Sequence, residues 1–190
     1  GALDRFGRAV ALRHLHAVRD AAHVDRGGRR AFAGVEVFGL ENGIEFAVHL
    51  DDYKHYDTEK LRKHFLVQTI FTADQVEFTY THYERLMVGG VMPVSKPVVL
   101  ETYDQLKSEF FLARRELGAI NIGGSGKVSV DGEIFEIGTK EALYIGRGAK
   151  EVIFSSDDSN NPAKFYLLSS PAHHAYAVRL MKKEKASPTE

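Results

Sequence analysis

The stretch that decides the fold is residues 108–151, SEFFLARRELGAINIGGSGKVSVDGEIFEIGTKEALYIGRGAKE. Its apolar residues come in short alternating bursts, each closed by glycine or by Asp-Gly, which is the pattern of consecutive antiparallel strands. Asp131 and Gly132 separate two of these bursts, and a two-residue hairpin with both central residues at positive φ favours that pair. The stretch therefore predicts a small meander of three or four strands.

The glycines of this stretch add a second signal. The order of the expected elements resembles that of a cupin. It consists of a strand, a glycine-rich turn at residues 123–126, a strand, a hairpin, another strand and a final Gly-Arg-Gly. The Gly-x-Gly does not open a helix after a strand, as a phosphate-binding loop would. We therefore expect an all-β fold, a cupin-like antiparallel β-barrel or jelly roll with a short N-terminal helix.

Composition excludes several classes of protein. A chain of 190 residues fits one domain, with or without an appendage. The net charge of −1 gives no basic excess to suggest a nucleic-acid partner. No apolar run approaches the roughly 18 residues that a membrane helix needs. Cysteine is absent, which excludes disulfides and Cys-ligated zinc and is compatible with a cytoplasmic location.

Residues 1–43 differ in composition from the rest of the chain. They hold seven arginines and no lysine, whereas twelve lysines and six arginines follow. We interpret them as a leader outside the family pattern, which could be poorly ordered and could hold a short helix; the alternative is a family-specific extension. His14 and His16 have the spacing of half a metal site, but no third ligand stands at a supporting distance. We therefore favour exposed histidines.

The pattern beyond residue 44 predicts further elements in order. A short helix is expected at residues 59–64, capped by Asp57 or Thr58. His82 ends an alternating strand, where a half-buried or edge histidine is the more common role than a functional group. Strands are expected at residues 65–72, 75–82 and 85–94, a helical turn at 101–107, and a hairpin of strands 150–156 and 163–170 around the turn-forming loop 157–162.

The metal-ligand pattern of cupins is not met in this chain. A metal-bearing cupin places His-x-His, then Glu, then a later His on converging strands. Aligned on the glycine turn, these positions fall on Phe110 and Leu112 or Glu109 and Phe111, on Glu116, and on Glu151. One carboxylate without imidazoles would hold a transition metal poorly, so we predict a metal-free barrel without catalytic residues.

Arg114, Arg115 and Glu116 form an unusual charged cluster. On a strand, Arg114 and Glu116 would share one face and Arg115 would point away. One interpretation makes an arginine the clamp for a sugar carboxylate. The interpretation we favour is an Arg114–Glu116 ion pair plus an arginine at a subunit or domain contact. For His173 and its neighbour His174, a domain contact or exposure is favoured over catalysis.

Residues 46–190 resemble the 5-keto-4-deoxyuronate isomerase family, the 4-deoxy-L-threo-5-hexosulose-uronate ketol-isomerases of pectin breakdown. The matching text is Phe65-Leu-Val, Val88-Gly-Gly-Val-Met-Pro, residues 111–126, Val130-Asp-Gly, residues 141–152, Pro162-Ala-Lys-Phe-Tyr and Pro171-Ala-His. The resemblance implies a truncated bicupin in which residues 44–190 are the N-terminal cupin-like half. It also implies that the zinc ligands lie in an absent C-terminal half, so no ligand is expected in this chain.

The resemblance implies an activity for the full-length enzyme. Such an enzyme converts 5-dehydro-4-deoxy-D-glucuronate into 3-deoxy-D-glycero-2,5-hexodiulosonate, and the family is expected to form hexamers. The first hypothesis is an inactive fragment of this isomerase. The second is a stand-alone, metal-free cupin that binds sugar acids or serves assembly. A third, isomerisation without zinc by residues 46–190, is the least favoured.

Overall fold

The computed structural model describes residues 43–82 and 84–185, with only the backbone for Glu45 and Leu50. Of these, Val48–Leu66 belong to one compact unit, and residues 43–47 with those from Val67 onward belong to a second. The first unit holds helix α1 (Leu50–Tyr53) and helix α2 (Thr58–Phe65). The Asp57 side chain accepts a 2.8 Å hydrogen bond from Lys60 N, which confirms the predicted helix and its cap. The predicted leader and its histidines lie outside the described residues.

The second unit is built from antiparallel sheets, which confirms the all-β prediction. Its strands are β1 (Ile44–Glu45), β2 (Val76–Thr81), β3 (Met87–Val91), β4 (Val98–Val99), β5 (Arg115–Asn121), β6 (Gly126–Val130), β7 (Glu133–Ile137), β8 (Ala142–Ile145), β9 (Val152–Ser156), β10 (Phe165–Pro171) and β11 (Arg179–Met181). A seven-stranded sheet has the order β1-β2-β3-β10-β5-β8-β11, and a four-stranded sheet has the order β4-β9-β6-β7. All pairings are antiparallel except β1 with β2.

The two sheets pack face to face around one apolar core. The ring of Phe154 on β9 lies 5.3 Å from the ring of Phe165 on β10, so the core joins the smaller sheet to the larger. On β5, Leu117 and Ala119 are fully buried, as alternation along a strand with one core face requires. Phe78 on β2 stacks on Phe111 at 5.2 Å and extends the core towards one end of the sheets.

Four strands lie within residues 108–151, but the predicted meander is wrong. The β6–β7 hairpin is confirmed, with Asp131 at φ 49° and Gly132 at φ 89°. Strand β5, however, pairs with β8 in the larger sheet, while β6 and β7 belong to the smaller one. The chain changes sheets at the glycine turn. There the backbone passes close to loop 157–162, since a Cβ on Gly124 would lie 2.0 Å from the carbonyl oxygen of Asn161. Only glycine permits this close approach.

Two further expectations, one about a hairpin and one about a strand, are wrong. Strands β9 and β10 form where they were predicted, but they lie in different sheets, so loop 157–162 is a crossover and not a hairpin. Residues 66–72 are irregular instead of forming a strand. Ile70 and Phe71 pack on the larger sheet at Gly90, where an added Cβ would lie 2.5 Å from the carbonyl oxygen of Ile70 and 2.6 Å from the Phe71 ring. The expected helical turn is confirmed as a 3₁₀ turn at Asp104–Leu106.

The crossover between the sheets is held by the fully buried side chain of Asn121, at the end of β5. Its amide nitrogen donates to the carbonyl oxygens of Gly124 at 2.7 Å and Ile137 at 2.9 Å. Its amide oxygen accepts hydrogen bonds from the backbone nitrogens of Gly123 at 3.0 Å and Lys164 at 3.3 Å. One side chain therefore links the glycine turn, the end of β7 and the start of β10.

No helix among residues 43–82 and 84–185 combines the length and the hydropathy that a membrane crossing requires.

Replacement of Asn121 by alanine is expected to lower the free energy of unfolding by about 3 kcal/mol, because four buried backbone groups lose their partner. Urea unfolding followed by circular dichroism measures the change. Asn160→Ala is the matched control, since the Asn160 side chain is exposed and its removal should cost less than about 0.5 kcal/mol. Equal unfolding midpoints for the two variants would contradict this account.

Candidate functional site

The structure brings the four predicted site residues together at one end of the larger sheet. Strand β5 begins at Arg115, which is the register partner of Pro171 at the end of β10, and the next pair is Glu116 with Ser170. The backbone continues the contact beyond the strands, where Ala172 N donates to the carbonyl oxygen of Arg114 at 3.0 Å. His173 follows directly. We call residues 113–116, 147 and 169–173 the rim.

Arg114 does not form the expected ion pair with Glu116. It follows the 3₁₀ turn Phe111–Ala113 with φ −134° and ψ 10°, before β5 begins. Its Nη2 donates to the carbonyl oxygens of Leu106 at 2.6 Å and Lys107 at 2.9 Å. The pairing prediction is wrong because Arg114 is not a strand residue, so strand alternation does not apply to it. Its guanidinium instead closes the loop that leads into β5.

Glu116 and Tyr144 form a hydrogen-bonded pair on the face of the larger sheet that points away from the core. The Tyr144 hydroxyl donates to Glu116 Oε2 at 2.7 Å, and Ser170 Oγ lies 3.3 Å from Oε1. Burial raises the pKa of the Tyr144 phenol well above its ordinary value, and the acceptor Glu116 raises this pKa further. Sequence reasoning missed Tyr144, although its alternation with the core residues Leu143 and Ile145 on β8 places it on the Glu116 face.

Arg115 points into the barrel and is only 6% exposed. Its Nε donates to Ser169 Oγ at 3.0 Å, and its Nη2 donates to the carbonyl oxygens of Ser169 at 2.8 Å and Arg85 at 2.7 Å. The guanidinium carbon lies 5.9 Å from the centre of the Tyr80 ring. Burial lowers the pKa of Arg115 to about 10; Tyr80 opposes this effect and the charge of Arg85 adds to it. Whether Arg115 serves a substrate or an interface stays a prediction.

Arg147 is a rim residue that sequence reasoning missed. Its Nε donates to the carbonyl oxygen of Ala113 at 3.0 Å, and its Nη1 lies 3.3 Å from the carbonyl oxygens of Ala172 and His173. Its position between two glycines in the Gly-Arg-Gly of the glycine pattern was the available signal. The His173 side chain is exposed, so within the described residues His173 contributes its carbonyl group to the rim.

The three rim arginines share one mode of bonding. Arg114, Arg115 and Arg147 all donate to backbone carbonyl oxygens, and none of them takes part in an ion pair formed between described residues. Charged donors form stronger hydrogen bonds than neutral ones. The rim is therefore a set of loops connected by guanidinium groups, and it carries several positive charges.

His82 and the residues aligned with the cupin metal motif lie in separate places in the described structure. His82 lies just past β2, is exposed, and stacks on the Phe46 ring at 4.8 Å. Of the positions aligned with a cupin metal motif, Phe111 and Leu112 are buried in the core, Glu116 is bonded to Tyr144, and Glu109 and Glu151 are exposed. No group of three His, Asp or Glu side chains in the described part of the chain could hold a metal ion. These residues do not fit a zinc site.

Comparison with known proteins places the chain in a family. The model of the KduI/IolB family matches residues 65–190. The chain belongs to the KduI/IolB family. This confirms the resemblance drawn from the motifs, because curated relatives of this KduI/IolB chain are named 4-deoxy-L-threo-5-hexosulose-uronate ketol-isomerase.

Three of those relatives come from different bacteria. The Formosa agariphila protein is 52% identical over 72% of this chain and 49% of its own length. The Halalkalibacterium halodurans protein is 45% identical over 80% and 54%, and a Yersinia pseudotuberculosis protein is 53% identical over 76% and 53%. The KduI/IolB chain thus spans about half the length of the curated relatives it matches. Among solved structures, a cupin protein from Bacteroides fragilis is similar, with 17% identity, a TM-score of 0.34, and coverage of 55% of this chain and 76% of that one.

Replacement of Tyr144 by phenylalanine is expected to lower the free energy of unfolding at pH 7 by about 2 kcal/mol, because a hydrogen bond to a carboxylate is lost. The raised pKa of Tyr144 adds a pH dependence. A group whose pKa is higher in the folded state stabilises the fold below its unfolded value, here 10.0, and loses that effect as the pH rises further. The difference in stability between wild type and variant should therefore shrink above pH 10.

Urea unfolding of both proteins at a series of alkaline pH values measures this difference. All other titrating groups are common to the two proteins, so the wild type is the reference at each pH. A difference that stays constant or grows above pH 10 would contradict the predicted role of the Tyr144 hydroxyl.

Proposed function

We propose that this chain is the N-terminal half of a uronate ketol-isomerase. The observation that carries the proposal is the 45–53% identity to proteins named for that activity, over about half of their length. The reaction would convert 5-dehydro-4-deoxy-D-glucuronate into 3-deoxy-D-glycero-2,5-hexodiulosonate in pectin catabolism. We further propose a cytoplasmic enzyme that forms a homo-oligomer, a hexamer as the resemblance implies.

We assign a non-catalytic role to this half of the enzyme. The space between its sheets is filled by buried side chains such as Phe78, Phe154 and Phe165. A ketol isomerisation needs a base that moves a proton between the carbons next to the carbonyl group. The described part of the rim offers arginines bonded to carbonyl oxygens and a glutamate bonded to Tyr144 and Ser170. We place the proton transfer, and the zinc that the resemblance implies, in the remaining half of the enzyme.

The alternative function, a metal-free module for sugar-acid binding or assembly, has its own supporting observation. Val99 on β4 pairs with Ile153 on β9, which pairs with Ser129 on β6, which pairs with Ile134 on β7. Val99 is 47% and Ile134 is 65% exposed. Three apolar side chains, interrupted by Ser129, thus line up on the outer face of the smaller sheet, which favours a role in assembly.

A chimera tests the isomerase proposal. Residues 44–190 of this chain, joined to the remaining half of the Yersinia pseudotuberculosis relative, are expected to isomerise the uronate, because the two proteins are 53% identical over the half that is exchanged. The full chain alone and the remaining half alone are the controls, and the intact relative is the positive reference. Turnover by the full chain alone at the rate of the chimera, or a folded chimera without turnover, would contradict the proposal.

The reading frame distinguishes the isomerase from the stand-alone module. Codons after the one for Glu190 that encode a His-x-His, a Glu and a later His would support the isomerase. A stop codon at that point would support the module.

A further inference from the structure

The rim contains a buried positive charge for which the described residues supply no negative partner. Arg115 is 94% buried, and none of the ion pairs formed within residues 43–82 and 84–185 includes it. Its three hydrogen bonds go to a hydroxyl and two carbonyl oxygens, which are neutral. Glu84 lies in the nearby β2–β3 turn and has an interaction partner, but the electrostatic effects on Arg115 come from Tyr80 and Arg85. Buried charges in proteins are normally paired, because an unpaired one keeps its desolvation cost.

One nitrogen of the Arg115 guanidinium has no acceptor among the described residues. Nε and Nη2 are occupied by the bonds to Ser169 and Arg85. Nη1 forms no hydrogen bond with the described residues, and it is not among their buried atoms without a partner. Among the described residues, Nη1 is therefore the nitrogen left to donate to a further acceptor. A donor that is fixed by three hydrogen bonds and open at one nitrogen is preorganised to bind an acceptor, because no side-chain entropy remains to be lost.

A second cation stands beside this donor. Arg85 is exposed, and its charge acts on Arg115. The turn that carries it is closed by a 2.8 Å bond from Thr81 N to the Leu86 carbonyl oxygen. Within that turn, both Glu84 and Arg85 have φ of 56°. Left-handed backbone at two successive non-glycine residues is unfavourable, and the bond from Arg115 to the Arg85 carbonyl oxygen helps to hold it.

We propose that Arg115 and Arg85 form a binding site for the carboxylate group of a small organic anion. One negative charge would neutralise the buried guanidinium, and Nη1 would donate to a carboxylate oxygen. The Tyr80 ring, 5.9 Å from the guanidinium carbon, flanks the site. A phosphate dianion fits less well, because it has a further negative charge and further acceptor oxygens that would need donors. Nε and Nη2 cannot supply them, since they already donate to Ser169 and Arg85. The proposal does not rest on the isomerase assignment, since it uses only charge, burial and hydrogen bonding.

Nuclear magnetic resonance of the nitrogen-15-labelled full chain tests the site without any substitution. The Arg115 Nε–H signal, assigned through bonds, is followed during titration with sodium acetate and with sodium D-glucuronate. Sodium chloride at matched ionic strength controls for screening, and D-glucose is the neutral control for glucuronate. Both carboxylates are expected to move the Arg115 signal saturably below about 50 mM, as a site of millimolar affinity would. An Arg115 signal that does not move, or that sodium chloride moves equally, would overturn the proposal.

Two variants of exposed arginines test the second cation. Arg85→Gln is expected to raise the Kd for glucuronate about three- to tenfold, because one of two neighbouring positive charges is lost. Arg179→Gln, the same change on the edge strand β11, should leave the Kd unchanged, since Arg179 is exposed elsewhere on the sheet. Equal weakening by both variants would overturn the assigned site, because it would show a general effect of net charge. The chimera result is independent of this outcome.

Discussion

The fold depends on the buried amide of Asn121, which is fully excluded from solvent and forms four hydrogen bonds. A chain that places β5 and β8 in one sheet and β6 and β7 in the other must cross between sheets twice within residues 115–145. At each crossing, backbone groups leave the strand ladders and need other partners. Asn121 supplies them at the glycine turn, at the end of β7 and at the start of β10. An apolar side chain at this position would fill the space without meeting that need.

Strand β5 connects this crossover to the rim. Its core face carries Leu117 and Ala119 between Asn121 at one end and Arg115 at the other. The interior is apolar along the strand and polar only at the ends, where the side-chain groups are hydrogen-bonded. At the rim, arginines donate to backbone carbonyl oxygens, as Asn121 does at the crossover. Because a guanidinium is charged and an amide is not, the arginines give the rim a positive potential that Asn121 does not give the crossover. The carboxylate site that we propose follows from that difference.

The two proposals assign separate properties to this KduI/IolB chain. The isomerase assignment concerns the whole enzyme and draws on relatives about twice as long as the matched region. The carboxylate site concerns only Arg115, Arg85 and their neighbours within this chain. A bound organic anion would affect the β2–β3 turn through the hydrogen bond from Arg115 to the Arg85 carbonyl oxygen. The rim could thus respond to a small carboxylate although the described residues do not fit a metal centre.

The sequence by itself determined the properties that arise from local interactions. Alternation and turn residues located β2, β3 and β5–β10, the Asp131–Gly132 hairpin and the Asp57 cap, because each depends on residues close together in the chain. Tertiary structure decided which strands pair, since a run such as residues 163–170 satisfies alternation equally well beside β9 or between β3 and β5. It also decided the direction of the rim side chains: Arg115 meets Ser169, 54 positions away. Strand alternation could not reveal that partner, because it specifies a face of the sheet and not the neighbour across it.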